Sequence, residues 1–366
     1  MNKQTPSNNI IMKKLIYFAV LSALVLNSCA KKEAESPVFD DNNAVSFGLY
    51  SQRPQTKAAT DMTLDNLKTS GFGVFAFYTA QTAWASYSAS TPNFMNNQKV
   101  IYDATGSKWK YDPVKYWSNN SGDKFSFFAY APYASGKTWS STDKSIAFTV
   151  NADVTLQEDL LFAPGLVDKT RTKDALTFAF QHALARIGFN VSYSLPSGDT
   201  DQIDGESAKT TIAVSQVVLQ KSGSTDGIFY TGGNLLVTAA AASSAWGSQT
   251  GTQTFTLTST NFEDVYSKVT KTATKLNKDN SYIMIIPQKT TFDVCITYTV
   301  TTTDTAIGGS VITNTITTNV PEIDFEANKA YTLNLIIGMN EVKVAATVAD
   351  WTSVDATNVP VPASAS

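Results

Sequence analysis

The sequence predicts an all-β protein built as two β-sandwiches. Charged residues make up only 16% of the 366 residues, and Thr, Ser, Asn and Gln replace them beside many aromatic residues. β-Branched and aromatic side chains fit the pleated, half-buried surface of a sheet. Short apolar runs recur between turn residues, and a helical period is missing outside the Ala/Ser-rich stretch 239–246, which suggests a loop or a short turn of helix.

The first half of the sequence contains a series of predicted strands. Residues 45–50 form the first of them, with Val45, Phe47 and Leu49 on one face. Residues 71–79 (GFGVFAFYT) carry apolar side chains on both faces, which is typical of a strand buried on both sides. Gly, Pro, Asn and Asp separate the later predicted strands, at residues 99–103, 109–112, 125–133, 145–150 and 159–163.

The second half continues with alternating strands at residues 292–300, 331–337 and 342–348. In the first of these, the even-numbered positions Phe292, Val294, Ile296, Tyr298 and Val300 are predicted to face the core.

The stretch 176–193 changes the parity of its apolar positions between Leu184 and Ile187. Such a change indicates a bulge, or a strand that leaves one core and enters another. We therefore predict an N-terminal sandwich over residues 44–175 and a C-terminal sandwich over residues 176–366.

The N-terminus reads as an export signal ending in a lipidated cysteine. After Met12, the expected translation start, two lysines precede an apolar run that is too short to span a bilayer. The run ends in Leu-Asn-Ser-Cys, which resembles the lipobox of bacterial lipoproteins. This resemblance implies removal of the leader 1–28 and acylation of Cys29. Charged residues and Pro37 make residues 29–43 a flexible tether in this interpretation, with a sorting signal as the alternative.

The composition argues against several classes of function. The net charge is −3 and the sequence contains no basic cluster, so we expect no nucleic-acid partner. Its single histidine and two cysteines argue against a Cys/His zinc site, and we expect no cofactor. With Cys29 acylated, Cys295 has no disulfide partner in the chain.

Three candidate sites have plain structural alternatives. His182 lies in an apolar strand, so we favour a structural pair with Arg186 over a catalytic base. The acidic stretch 199–206 departs from a calcium loop, because Thr210 stands where the last glutamate is needed, so no metal is expected. For the aromatic residues between Tyr102 and Trp139, we favour packing in the core over a sugar-binding platform.

The segment 180–187, Phe-Gln-His-Ala-Leu-Ala-Arg-Ile, resembles a signature of the fimbrillin family, the type V pilins of Gram-negative gut and oral anaerobes. Other pieces resemble the family in the same order: GFGVFAFY (71–78), NNQKVIYD (96–103), KWKYDPVKYW (108–117), FSFFAYAPY (125–133), DLLFAP (159–164), IIPQ (285–288), NKAYTLNLIIG (328–338) and VADW (348–351).

The resemblance implies two tandem transthyretin-like β-sandwich domains and a surface-exposed lipoprotein of the outer membrane. It also implies that a protease trims the first strand and that a strand from the C-terminal region of another fimbrial subunit, here 344–361, fills the groove. The usual processing arginine is altered here. Arg53 precedes Pro54, which resists trypsin-like cleavage, and Lys57 occupies the matching position. We therefore expect the cut between residues 53 and 60. The preferred site is after Lys57, and Arg53 is the second candidate.

The leading hypothesis from the sequence is a lipid-anchored subunit of a surface pilus, without enzymatic activity. One alternative is a non-polymerising surface or tip adhesin whose partner is a glycan or protein receptor. The remote alternative is an exported hydrolase, which would need acidic residues converging on His182 or elsewhere.

Overall fold

Strands dominate the computed structural model, which describes residues 43–49, 62–88, 90–194, 210–303, 309–338 and 341–351. The strands of the first half are β1 (Phe47–Leu49), β2 (Phe72–Ala80), β3 (Met95–Asp103), β4 (Lys108–Lys110), β5 (Lys124–Ala131), β6 (Ile146–Thr149), β7 (Leu161–Lys169), β8 (Leu176–Phe178), β9 (Gln181–His182) and β10 (Ala185–Tyr193).

The strands of the second half are β11 (Thr210–Lys221), β12 (Gly232–Leu235), β13 (Trp246–Thr250), β14 (Phe255–Thr258), β15 (Thr274–Lys275), β16 (Ile283–Ile285), β17 (Gln288–Thr302), β18 (Ser310–Phe325), β19 (Lys329–Ile337) and β20 (Val342–Asp350). One α-helix, α1 (Leu64–Ser70), lies within the described residues. Short 3-10 helices occupy Trp84–Ser86, Val154–Leu156, Ala242–Ser244, Ser259–Asn261 and Asp264–Ser267. The all-β prediction is confirmed.

The described strands form five sheets. A six-stranded sheet has the order β4-β3-β2-β5-β7-β9, and a two-stranded sheet pairs β1 with β8. The remaining sheets are β13-β12-β6, β14-β11-β17-β18 and β15-β10-β19-β20, the last with β16 also paired to β10. β20 pairs with β19 along its whole length, from Lys329↔Asp350 to Ile337↔Val342.

The six-stranded sheet is buried on both faces because its two central strands are apolar on both sides. Phe72 and Val74 of β2 belong to one hydrophobic core, together with Phe127 of β5. Their neighbours Phe75 of β2 and Phe128 of β5 belong to a second core that extends through the rest of the protein. The two-sided burial expected for residues 71–79 is therefore observed.

The second half shows the predicted alternation. Phe292, Val294, Ile296 and Tyr298 of β17 are buried, and the alternate residue Thr297 is partly exposed. On that outer face Thr297 and Thr299 pair with Thr315 and Thr313 of β18 through hydroxyl contacts of 3.1 and 3.0 Å. Such a pattern produces one buried and one hydrated face of an antiparallel sheet.

Helix α1 was not predicted, because seven residues are too few to establish a period of 3.6. Its boundary signals are nevertheless present in the sequence. The Thr63 hydroxyl accepts a hydrogen bond from the Asn66 amide, and Gly71 ends the helix with φ 71°. A Cβ at Gly71 would lie 2.5 Å from the Val100 carbonyl oxygen, so the position requires glycine for space as well as for conformation.

The stretch 176–193 passes from one core to the other, and the passage comes just before the parity change, since Leu184 already packs in the second core. Leu176 and Phe178 pack in the core that contains Phe72, whereas Ile187 and Phe189 pack in the core that contains Phe75. β6, from the first half, pairs with β12 of the second half. Residues from Val45 onward form one compact unit. The boundary at 175/176 and the two tandem transthyretin-like domains remain predictions. No helix of the described ranges is long and apolar enough to cross a membrane.

We predict that Gly73→Ala destabilises the protein by about 1–3 kcal/mol, because the core has no room for the added methyl group. A Cβ at Gly73 would lie 2.3 Å from Cε1 of the buried Tyr130 ring and 2.8 Å from Oδ1 of Asn97. Denaturant unfolding measures the change. Gly136→Ala is the control, since a Cβ there meets nothing within 4 Å. Equal stability of the two variants would contradict the packing described for β2.

Candidate functional site

Strand β1 lies in an aromatic groove that its removal would open. The Phe47 ring stacks on Phe178 at 5.7 Å between centroids and meets the edges of Phe72 and Phe127 at 6.2 and 6.0 Å. Tyr111 packs against the same ring at 5.4 Å. Aromatic side chains bury large areas, so this one residue supplies much of the apolar contact between β1 and the groove.

Hydrogen bonds hold both β1 and the chain just before it. β1 pairs in parallel with β8, from Phe47↔Leu176 to Leu49↔Phe178. Two residues before β1 begins, the Val45 amide donates to the Lys115 carbonyl at 2.9 Å, and the Tyr111 hydroxyl donates to the Val45 carbonyl at 2.7 Å. Burial raises the pKa of Tyr111 to about 12, so its hydroxyl stays a donor over the physiological range.

Loss of β1 would create two defects at once. The rings around Phe47 would lose their cover, and β8 would lose the strand with which it forms a two-stranded sheet. An open apolar groove beside an unpaired strand edge binds added strands, because the incoming backbone restores the hydrogen bonds and its side chains refill the groove. The geometry therefore suits replacement of β1 by another strand.

A second cluster surrounds His182. The His182 Nδ1 atom lies 2.9 Å from Oδ1 of Asp159, whose side chain is fully buried. The imidazole stacks on the Trp351 indole, with centroids 4.1 Å apart and planes inclined by 3°. The guanidinium of Arg186 lies 5.2 Å from the centroid of that indole and 4.3 Å from that of Tyr282.

A left-handed turn at Asn328 brings the parts of this cluster together. Asn328 has φ 63°, a conformation that asparagine tolerates. Its amide donates to the Leu184 carbonyl at 3.0 Å, and its own carbonyl accepts from the Trp351 amide at 2.9 Å. β9 positions His182 by pairing it with Leu161 of β7. One turn thus brings the chain near His182 and the end of β20 together.

The structure places the predicted pair His182 and Arg186 around a shared neighbour. Both contact the Trp351 indole, and the imidazole bonds to Asp159. The sequence does not indicate Asp159 and Trp351 as partners of His182. Both residues lie within motifs that carry the family resemblance, DLLFAP and VADW, but a motif does not indicate which distant segment it contacts.

The Asp159 carboxylate orients the His182 imidazole through a hydrogen bond. Nucleophilic catalysis needs a hydroxyl or thiol in hydrogen-bond reach of the ring. Within the described residues, the hydrogen bond of the His182 ring runs to Asp159. The same part of the chain shows no group of three His, Cys, Asp or Glu residues that could hold a metal ion.

The remaining predicted site residues lie outside the described residues. Cys29, Arg53 and Lys57 belong to this group, as does the acidic stretch 199–206. The aromatic residues between Tyr102 and Trp139 include core residues, since Trp117 is 3% exposed and Tyr130 is fully buried. Their packing agrees with the structural alternative to a sugar-binding platform.

Comparison with known proteins gives consistent matches. A family model described as fimbrillin-like matches residues 56–351. The fimbrium subunit Fim1C of Phocaeicola vulgatus is 33% identical over 132 residues, which are 36% of this chain and 33% of that protein, so the chain spans about a third of this relative's length. The crystal structure of a fimbrial protein from Bacteroides vulgatus matches with a TM-score of 0.65 and 22% identity, over 85% of this chain and 100% of that one. At this identity the likeness shows the fold alone.

We predict that Phe47→Ala lowers the free energy of unfolding of the uncut protein by about 3–5 kcal/mol, because a buried aromatic side chain is removed. Denaturant titration followed by circular dichroism measures the loss. Leu49→Ala in the same strand is the control and should cost less, since Leu49 is only partly buried. A cost for Phe47→Ala no larger than that of the control would contradict the anchoring role of this ring.

Proposed function

The chain belongs to the fimbrillin-like family, and from this membership we propose that it is an exported, lipid-anchored subunit of a surface fimbrium. In this proposal the subunit joins other fimbrial subunits by strand exchange after N-terminal trimming. It is a structural subunit of the outer membrane surface and not an enzyme.

The observation that carries the proposal is the seating of β1. This strand has three residues and one deeply buried ring, and among the described strands it pairs with β8. The candidate processing residues Arg53 and Lys57 follow it directly in the sequence. A short strand held by one aromatic anchor, with a cut site just behind it, is suited to removal, and the groove that it leaves is suited to a donated strand.

The C-terminal region supplies the donor in this proposal, and the fold narrows the choice within it. β20 pairs with β19 over nine residues, so donating β20 would break its own sheet. The residues after Trp351 are the donor that leaves this sheet intact. Pro360 and Pro362 have no backbone N–H to donate to a neighbouring strand. The donated strand must therefore place them at positions where the groove offers no carbonyl that needs a hydrogen bond.

The lipid anchor rests on the N-terminal sequence. Cys29 follows Leu-Asn-Ser at the end of an export signal, the spacing that lipoprotein acylation requires. Three acyl chains, at about 0.8 kcal/mol per buried CH2, exceed what stable anchoring needs.

A second candidate function is a surface or tip adhesin that does not polymerise. The observation in its favour is the Arg53-Pro54 bond, which resists trypsin-like proteases and so disfavours trimming at the arginine. An untrimmed subunit keeps β1 in its groove and cannot accept a donor. A glycan or protein receptor is the partner in this alternative.

We predict that Cys29→Ser abolishes acyl labelling and releases the protein from the membrane fraction. Metabolic labelling with a fatty-acid probe, followed by fractionation, measures both effects. Cys295→Ser is the matched control, since it alters the other cysteine of the chain and should leave labelling intact. Retention of Cys29→Ser in the membrane at the wild-type level would refute the lipid anchor.

We predict that a lysine-specific protease converts the purified protein into ladders that resist mild heating in SDS, because the cut after Lys57 frees β1 and opens the groove. N-terminal sequencing identifies the cut, and Lys57→Gln, which lacks that site, is the control. Cut protein that has lost β1 and stays monomeric would favour the adhesin over the fimbrial subunit.

A further inference from the structure

The buried carboxylate of Asp159 joins two distant parts of the chain. Its Oδ2 atom accepts a hydrogen bond from the Met62 amide at 2.6 Å, and its Oδ1 atom lies 2.9 Å from Nδ1 of His182. Met62 is the first described residue after the segment that contains Arg53 and Lys57. The Asp159 side chain therefore holds the chain at Met62, a few residues after the candidate processing sites.

His182 continues the connection to the other end of the chain. Its imidazole stacks on Trp351, which is 3% exposed and is the last described residue before the C-terminal segment 352–366. The Trp351 amide is also held, through its bond to the Asn328 carbonyl. The link from Met62 to Trp351 thus runs through the side chains of Asp159 and His182.

We propose that Asp159, His182 and Trp351 form a latch that couples the end of the N-terminal segment to the base of the C-terminal segment. While the latch is closed, Met62 and Trp351 are both held on the body of the subunit. Release at Met62 loosens Trp351, and release at Trp351 loosens Met62, because coupling between two sites is reciprocal. The meaning of this latch for assembly, that trimming behind β1 frees the donor, rests on the proposed function.

Strand β8 connects the latch to the groove. β8 pairs with β1 and ends at Phe178, four residues before His182. Between them, the Phe180 ring lies 6.1 Å from Phe178 and 5.5 Å from Phe72. Loss of β1 would therefore disturb the stretch that leads into the latch, as well as the chain that leads into Met62.

The docked Trp351 is held by contacts that can be given up. Stacking on the imidazole, the nearby Arg186 cation and burial favour the docked state. Its indole Nε1 atom is buried and has no hydrogen-bond partner among the described residues. A buried donor left unpaired disfavours the docked state. Because favourable and unfavourable terms oppose each other, we expect Trp351 to undock when one of the favourable contacts is removed.

Hydrogen exchange on the uncut full-length chain tests the latch without any assembly. Trp351→Ala should raise the exchange rate of the Met62 amide by roughly fivefold or more, although the substitution lies 289 positions away in the sequence. Asp159→Ala should raise the exchange rate of the Trp351 amide in the same way. Mass spectrometry with fragmentation to single amides measures both rates.

Two further variants make the test specific. Trp351→Phe keeps a ring on the imidazole and should restore the protection of Met62. Asp293→Ala is the matched control, because Asp293 is also buried and accepts hydrogen bonds from the Gly223 amide and Asn319. It should raise exchange at Gly223 and leave Met62 and Trp351 at wild-type rates.

A Met62 rate that stays at the wild-type value in Trp351→Ala, in protein that melts cooperatively, would overturn the latch. Equal acceleration of Met62 in Asp293→Ala would also overturn it, since the effect would then be general destabilisation. Either failure leaves the strand-exchange proposal standing, because the protease ladders test that proposal separately.

Discussion

The two-sided burial of the six-stranded sheet is the constraint on which the rest of the structure depends. β2 and β5 present rings on both faces, so each face must be covered by other parts of the chain. The larger core covers one face with strands from most of the described chain after β5. On the other face the small β1–β8 sheet packs together with Leu67 of α1 and Trp117, and Phe47 fills the space between Phe72, Phe127 and Phe178. The three-residue strand β1 thus contributes the central ring of this smaller core.

This unequal division has a functional consequence. The short strand β1 belongs to the smaller core, so its loss leaves the larger core in place but exposes apolar side chains of the smaller one to water. Removal of β1 leaves about 1.5–3 kcal/mol of unfavourable exposure for each uncovered large side chain, which a donated strand can recover. Under the proposed function, the groove that β1 fills in the uncut subunit therefore binds a donated strand after the cut. The proposal of a fimbrial subunit derives from this physical point and from the family to which the chain belongs.

The cluster around His182 links this cover to the other end of the chain. The pieces of sequence that carry the family resemblance supply its parts: Asp159 from DLLFAP, His182 from FQHALARI, Asn328 from NKAYTLNLIIG and Trp351 from VADW. These motifs are far apart in sequence and meet at one place in the fold. His182, for which the sequence favours a structural role, contacts a buried carboxylate on one side and a buried indole on the other.

The sequence by itself determined the all-β class, the two-sided strand 71–79, the alternation of β17 and the parity change before Ile187. These features depend on the local period of apolar residues, which a single segment displays without reference to its neighbours. It did not reveal α1, whose seven residues show caps but no period, nor the pairing of β6 with β12. Only the tertiary structure decided that Asp159 bonds to both Met62 and His182 and that Trp351 stacks on His182. Such contacts join residues up to 169 positions apart, and the local pattern of each segment is the same whichever distant partner it meets.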